Sequence, residues 1–141
     1  MKTKIYAGLL FTCLVILTSC SKSNDNMQNN AAQVAGQAVS TGNWRVSSFN
    51  DNGVDETGNF AGYVFVFTGS VITATKNSVT VNGTWSVNTS SVKFIIDLGP
   101  KGSGNKPLGD LTDDWRIISA NDTQIQLKDD SNTEFVTFSK N

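Results

Sequence analysis

The chain has 141 residues with 11 basic and 12 acidic side chains, a formal net charge of −1, and no histidine. A slightly acidic chain lacks the basic face that nucleic-acid-binding proteins normally present. The lack of histidine excludes Ser-His and Cys-His nucleophilic pairs and His-ligated zinc. We therefore expect no nucleic-acid partner, no cofactor and no enzymatic activity.

The first residues are typical of a secretory signal. Lys2 and Lys4 form a short positive region, and residues 5–17 carry no charge. This apolar run is shorter than the roughly 20 residues that a membrane-spanning helix requires. The segment is predicted to direct export and not to span a membrane.

Residues Leu17-Thr18-Ser19-Cys20 resemble the lipobox of bacterial lipoproteins, in which an aliphatic residue and two small residues precede an invariant cysteine. The resemblance implies cleavage of residues 1–19, a diacylglycerol thioether on Cys20 and an acylated new amino terminus, and two or more acyl chains anchor a protein stably to a membrane. Ser21 stands where an aspartate would resemble an inner-membrane retention signal, so we expect the outer membrane, in its periplasmic or its surface-facing leaflet. The alternative is an ordinary secretory signal with an incidental cysteine.

The chain has two cysteines, Cys13 within the signal and Cys20 at the lipid site. The exported domain therefore has no thiol for a disulfide, and its stability must come from packing. Residues 20–41 are rich in Ser, Asn, Gln and Ala and are predicted to be the lipidated cysteine and a flexible tether with a reach of about 25 Å. A short helix over residues 31–39 is the alternative, which Gly36 and a weak apolar face disfavour.

From residue 42 to residue 141 the apolar period is two, which predicts an all-β domain. Most links are short, so neighbouring strands are predicted to pair antiparallel as a meander. The eight predicted strands are 44–49, 62–68, 71–76, 79–87, 91–98, 115–120, 124–128 and 134–139.

Alternation predicts which side chains face the core. The inward residues are predicted to be Tyr63, Phe65, Phe67, Val79, Val81, Gly83, Trp85, Val87, Val92, Phe94, Ile96, Leu98, Val136 and Phe138. Asn82-Gly83 alone would indicate a hairpin turn, but the alternation continues through it, so we favour a continuous strand in which Gly83 permits a bend or a close backbone approach. The long links 50–61 and 99–114 are predicted to cover the ends of the structure, either as gates or as simple closures.

Gly42-Asn43-Trp44 at the first strand, Gly83-Thr84-Trp85, residues 62–67 and Asp113-Asp114-Trp115 together resemble the small lipocalin-like (calycin-type) lipoproteins of Gram-negative bacteria. The resemblance implies that the eight strands close into a small up-and-down barrel. It also implies that Trp44 and Gly42 are structural residues at the closed end. Such a barrel can be filled by its own side chains or can hold one small ligand.

Paired acids suggest a carboxylate or calcium site, but adjacent residues on an extended chain point in opposite directions. Residues 129–132 are best interpreted as a hairpin turn and Asp113-Asp114 as the end of a loop. The spacing of Asp110, Asp113 and Asp114 does not match that of an EF-hand loop, so no metal site is predicted.

Two functions follow from this pattern, and a third, weaker alternative is an enzyme that uses carboxylates alone, which would require Asp110, Asp113 or Asp114 to cluster with Asp55 or Glu56. The first is a binding module for a small apolar ligand, with Tyr63, Phe65, Trp85 and Phe94 as the candidate contacts. The second is a structural or protein-interaction lipoprotein of the cell envelope with a filled barrel, in which these residues are plain core. A cavity larger than ~300 Å³ favours the first function, and a filled interior with an apolar outer patch favours the second.

Overall fold

The computed structural model describes residues 23–141, with side chains from residue 30 onward. The predicted signal peptide and the lipid site at Cys20 lie outside the described residues. One α-helix and nine strands follow one another: α1 Ser23–Val39, β1 Trp44–Asp51, β2 Val54–Asp55, β3 Val64–Thr68, β4 Val71–Lys76, β5 Val79–Asn88, β6 Lys93–Asp97, β7 Asp113–Ala120, β8 Gln124–Lys128 and β9 Glu134–Lys140. The predicted all-β fold is confirmed.

Eight strands close into an antiparallel barrel. The order is β1-β3-β4-β5-β6-β7-β8-β9, and β1 pairs with β9 from Trp44 opposite Lys140 to Asp51 opposite Glu134. By contrast, β1 and β3 share a single pair, Trp44 opposite Phe65. The two-residue β2, which sequence analysis missed, pairs only with the last residues of β1.

The alternation in β5 correctly predicts one strand through Asn82 and Gly83. Trp85 is buried and Val87 packs against the core. The prediction is wrong for Val79, which is 67% exposed because it directly follows the turn that joins β4 to β5. The strand predicted from Ser91 begins two residues later, because Val92 has a left-handed φ of 55°, a conformation that costs a β-branched residue about 1–2 kcal/mol.

The two ends of the barrel differ. The helix end carries α1 and the β3–β4, β5–β6 and β7–β8 turns, whereas the loop end carries both long connections and the β4–β5 and β8–β9 turns.

The tether prediction is wrong for the segment that forms α1. The helix packs against β5, β6 and β7, and its small side chains Ala32, Ala35, Ala38 and Val39 are at most 4% exposed within the same core as the barrel. Alanines three residues apart lie on one helix face, so the face is flat enough to rest on the barrel rim. No helix within residues 23–141 has the length and apolar character to cross a membrane.

We expect Gly36→Ala to stabilise the protein. A Cβ at Gly36 would lie 3.5 Å from Cγ2 of Val87, an ordinary contact distance. Alanine also favours the helix and restricts the unfolded chain, which together add about 1 kcal/mol. Chemical denaturation measures the gain, with Gly104→Ala, where a Cβ would touch nothing within 4 Å, as the control. A less stable Gly36→Ala variant would contradict the packing of α1 on β5.

The long connections cover the loop end. A 3₁₀ turn over Thr57–Phe60 buries Phe60 against Phe49, with 5.1 Å between ring centroids. In the other long connection, the 3₁₀ turn Leu108–Leu111 buries both leucines, and Trp115 donates its indole N–H to the Leu111 carbonyl at 2.9 Å. Apolar side chains therefore cover this end, as α1 covers the other.

Candidate functional site

An aromatic cluster occupies the barrel interior. The Phe67 ring lies 5.4 Å from Trp85, 5.9 Å from Phe94 and 6.0 Å from Phe138, measured between centroids. Phe138 in turn lies 5.6 Å from Phe65. These are direct contact distances for aromatic rings, so the side chains fill the space between them.

The four predicted ligand contacts belong to this cluster, although they do not face a common space. Trp85 and Phe94 stack with centroids 5.5 Å apart. Tyr63 is half-buried, stacks on Phe65 at 6.0 Å and lies beneath the Lys76 ammonium, 4.9 Å away. The two pairs are joined through Phe67 and Phe138, which alternation placed inside but which the candidate set omitted.

One polar atom in the interior is unpaired. The residue Trp85 is only 9% exposed, and its buried indole N–H has no hydrogen-bond acceptor among the described residues. A buried donor without an acceptor costs about 1–3 kcal/mol. This atom is the feature of the interior that a ligand could satisfy.

The predicted structural residues lie at the helix end. Trp44 is fully buried, and its indole N–H donates to the Thr41 carbonyl at 3.2 Å. Gly42 has a φ of +79°, and a Cβ there would lie 3.1 Å from Cε of Lys140. The Lys140 ammonium also lies 5.2 Å from the Trp44 ring centroid. This arrangement joins the first and last strands of the barrel.

The outer wall carries a groove of about 370 Å³ on β7, β8 and β9. Ile118 and Phe135 are 49% and 40% exposed within it. We call it the outer groove; the residues that line it are Ser91, Val92, Arg116, Ile117, Ile118, Lys128 and Phe135. Sequence analysis missed it, although Phe135 alternates with the inward Val136 and therefore has to face outward.

Basic side chains cross this wall in one row. Lys93 is paired with Arg116, Arg116 with Lys128, and Lys128 with Phe135 on successive strands. Like charges on directly opposed residues repel each other unless anions compensate them.

Two carboxylates compensate part of this charge. The Lys93 ammonium lies 2.6 Å from both Asp114 and Asp130, and the Arg116 Nε lies 3.0 Å from Asp130. The hydrogen bonds from Lys93 and Arg116 lower the pKa of Asp130. Lys128 donates only to the neutral Asn132 side chain, at 2.6 Å. The row therefore has more positive than negative charge.

The three acids that were considered as a cation site, Asp110, Asp113 and Asp114, each lie beside a lysine. Asp113 lies 2.7 Å from the Lys101 ammonium, and Asp110 lies 3.6 Å from the Lys106 ammonium. Within residues 23–141, no group of three or more potential ligands is placed to hold a metal ion.

A second cleft follows the weakly paired β1–β3 seam. It measures about 430 Å³ and is lined in part by Arg45, Phe60, Tyr63 and Val64. It lies beside the 3₁₀ turn that covers the loop end, and Thr57 there donates and accepts hydrogen bonds with the backbone of Phe49. The turn therefore takes the place of the missing β1–β3 pairs.

No protein-family model matches the chain, and no curated protein matches its sequence. The barrel is, however, similar to solved structures. A DUF4847 family protein from Bacteroides vulgatus ATCC 8482 superposes with a TM-score of 0.57 at 12% identity, covering 74% of this chain and 96% of that one. The likeness is one of fold. A protein from Burkholderia xenovorans gives a TM-score of 0.49 at 16% identity, covering 80% and 88% of the two chains.

Proposed function

We propose that this protein is a lipid-anchored, lipocalin-like barrel of the outer membrane. In this proposal it acts through its outer surface, as a non-enzymatic structural or protein-interaction component of the cell envelope. The observation that carries the proposal is the packing of the interior, where Phe67 contacts Trp85, Phe94 and Phe138 directly. Both barrel ends are also covered by buried apolar side chains. The recognition surface then has to be the outside of the barrel.

A second candidate is a small ligand bound beside Trp85, whose buried indole N–H lacks an acceptor. Such a ligand would carry a hydrogen-bond acceptor on an apolar body. It would have to displace aromatic rings that are in contact, which makes it the weaker candidate.

Two measurements on the lipoprotein purified from its native membrane test the proposal. Mass spectrometry of extracted small molecules is expected to find no stoichiometric compound, and cross-linking in intact cells is expected to trap the same envelope protein repeatedly. A stoichiometric compound that is lost in a folded Trp85→Ala variant would replace the proposal with the ligand-binding function.

The anchor is tested separately by Cys20→Ser. The variant is expected to leave the membrane fraction, because it lacks the sulfur that would carry the diacylglycerol. Ser19→Ala keeps a small residue before the cysteine and is the matched control. A Cys20→Ser variant that stays in the membrane fraction would contradict lipid anchoring.

A further inference from the structure

The described chain begins close to the predicted lipid site. From Cys20 to the first residue of α1, Ser23, three residue steps span at most about 11 Å. From Ser23 to the fully buried Ala32 the helix rises about 14 Å. Since α1 is packed on the barrel, these lengths leave no long flexible spacer between the lipid and the domain.

The position of α1 shows which strands lie beside the helix that follows the predicted anchor. The helix packs on β5, β6 and β7 at the helix end. The outer groove begins at that rim with Ser91 and Val92 and continues down β7 to β9. The strand that α1 contacts most, β7, is thus part of this wall, whereas β4 forms the opposite wall.

The composition of the outer groove fits a membrane surface. Ile118 and Phe135 are exposed apolar side chains, and Arg116 and Lys128 lie directly opposite each other beside them. Apolar side chains enter the interface between headgroups and acyl chains, while neighbouring cations contact anionic headgroups.

The charges elsewhere on the barrel agree with this orientation. Acids concentrate at the loop end, in and beside the two long connections: Asp51, Asp55, Glu56, Asp110 and Asp113. Two lysines in the second connection, Lys101 and Lys106, compensate part of this charge. In the described turns of the helix end, Asp122 is the single Asp or Glu side chain. An anionic membrane would attract the outer groove and repel the loop end.

We propose that the outer groove rests on the bilayer, with Ile118 and Phe135 in the interface and Arg116 and Lys128 on anionic headgroups. The inference depends on the proposed lipid anchor at Cys20. It fixes the orientation of the domain, with the acidic loop end directed away from the membrane.

Single-cysteine labelling of the acylated, mature lipoprotein in vesicles tests the orientation. After the proposed processing removes Cys13 and acylates Cys20, an introduced cysteine is the one free thiol. An environment-sensitive fluorophore is attached to Ile118→Cys or Phe135→Cys, and to Val71→Cys as the control, because Val71 is 42% exposed on the opposite wall. The vesicles contain phosphatidylethanolamine with phosphatidylglycerol, and a parallel set has phosphatidylcholine in place of phosphatidylglycerol.

We expect the labels at 118 and 135 to shift their emission to the blue and to be quenched by lipid-borne nitroxides, while the label at 71 behaves as in water. The shift should decrease in the vesicles without phosphatidylglycerol, and in the Arg116→Gln, Lys128→Gln double variant. Two label positions are used because a substitution that disturbs folding locally at one of them would leave the other label to report the orientation.

Three other results overturn the inference. If the intact mass shows the acyl chains but all three labels report water, the anchor stands and the orientation is wrong. If the protein carries no acyl chain and stays in solution, the proposed anchor fails and the orientation fails with it. If the labels are protected in native membranes but exposed in protein-free vesicles, the groove binds a protein and not lipid.

Discussion

Gly83→Ala is expected to destabilise the protein by about 3 kcal/mol, the upper end of the usual cost of overpacking, because only a movement of the backbone can relieve the clash. A Cβ at Gly83 would lie 2.1 Å from the backbone oxygen of Asp97 and 3.0 Å from Cδ2 of Leu98. The oxygen belongs to the last residue of β6, and the adjacent Thr84 is paired with Asp97 in the ladder. Relief therefore requires β5 and β6 to separate. Urea denaturation at neutral pH measures the loss.

Gly58→Ala is the matched control for this prediction. A Cβ at Gly58 would have no neighbour within 4 Å, so its effect is expected to stay within about 0.5 kcal/mol. Equal stabilities of the two variants would show that β6 does not approach Gly83 as closely as described. Serine has the same Cβ as alanine, so Gly83→Ser is expected to be as unstable as Gly83→Ala. If Gly83→Ala does not fold at all, its difference from Gly58→Ala is measured as the yield of folded protein.

The strands could be predicted because their signal is local, whereas closure into a barrel was implied by the resemblance alone. Alternation with a period of two is contained in each strand, and it correctly placed Phe65, Phe94 and Phe138 inside. The short links then allowed mostly sequential pairing, which the structure confirms. The single seam pair between Trp44 and Phe65 could not be predicted in the same way, because it depends on how the barrel closes around all eight strands.

The helix was predicted only as the disfavoured alternative, over residues 31–39, because its partner is distant in sequence. Alanines at 32, 35 and 38 give a weak apolar signal, and Gly36 lowers the intrinsic helix propensity. Their burial comes from the rim formed by β5 to β7, and tertiary packing supplies most of the stability of such a helix. A pattern of small residues at helical spacing was the available signal.

The outer groove depends on features that a single strand does not reveal. In β7 alternation already turns Ile118 outward beside the inward Ile117, but the register shifts between Ile117 and Ser119, and this bulge turns Ser119 outward as well. Alternation alone cannot determine where a bulge falls. The row of Arg116, Lys128 and Phe135 likewise requires the register of three strands.

Asp129→Ala is expected to lower the free energy of unfolding by about 2 kcal/mol at neutral pH, because hydrogen bonds to a charged group are worth about 1.5–3 kcal/mol. Asp129 is 7% exposed in the predicted β8–β9 turn. Its carboxylate accepts hydrogen bonds from the backbone N–H groups of Thr133 at 2.8 Å and Glu134 at 3.0 Å. The hydroxyls of Thr133 and Ser131 also donate to it. The buried carboxylate therefore stabilises the conformation of the turn.

Asp130→Ala tests whether this effect belongs to Asp129 or to any acid in the turn. Asp130 is exposed and is paired with Lys93 and Arg116, and because solvent screens exposed ion pairs, its loss is expected to destabilise the protein much less than the loss of Asp129. Thermal denaturation of both variants compares the loss of stability at Asp129 with the loss at Asp130. Equal losses would contradict the role assigned to the buried carboxylate.

The stabilisation by Asp129 is expected to disappear in acid. Burial raises the pKa of Asp129, but the hydrogen bonds from Ser131, Glu134 and Thr133 outweigh burial and lower the pKa from 3.8 to about 2. Because the pKa is lower in the folded protein, the stabilisation is complete above about pH 4 and is lost as the pH falls towards 2. The difference in unfolding free energy between the wild type and Asp129→Ala, measured in urea, should therefore narrow across this interval. A difference that stays constant down to about pH 2 would mean that neutral packing, and not the ionised carboxylate, holds the turn.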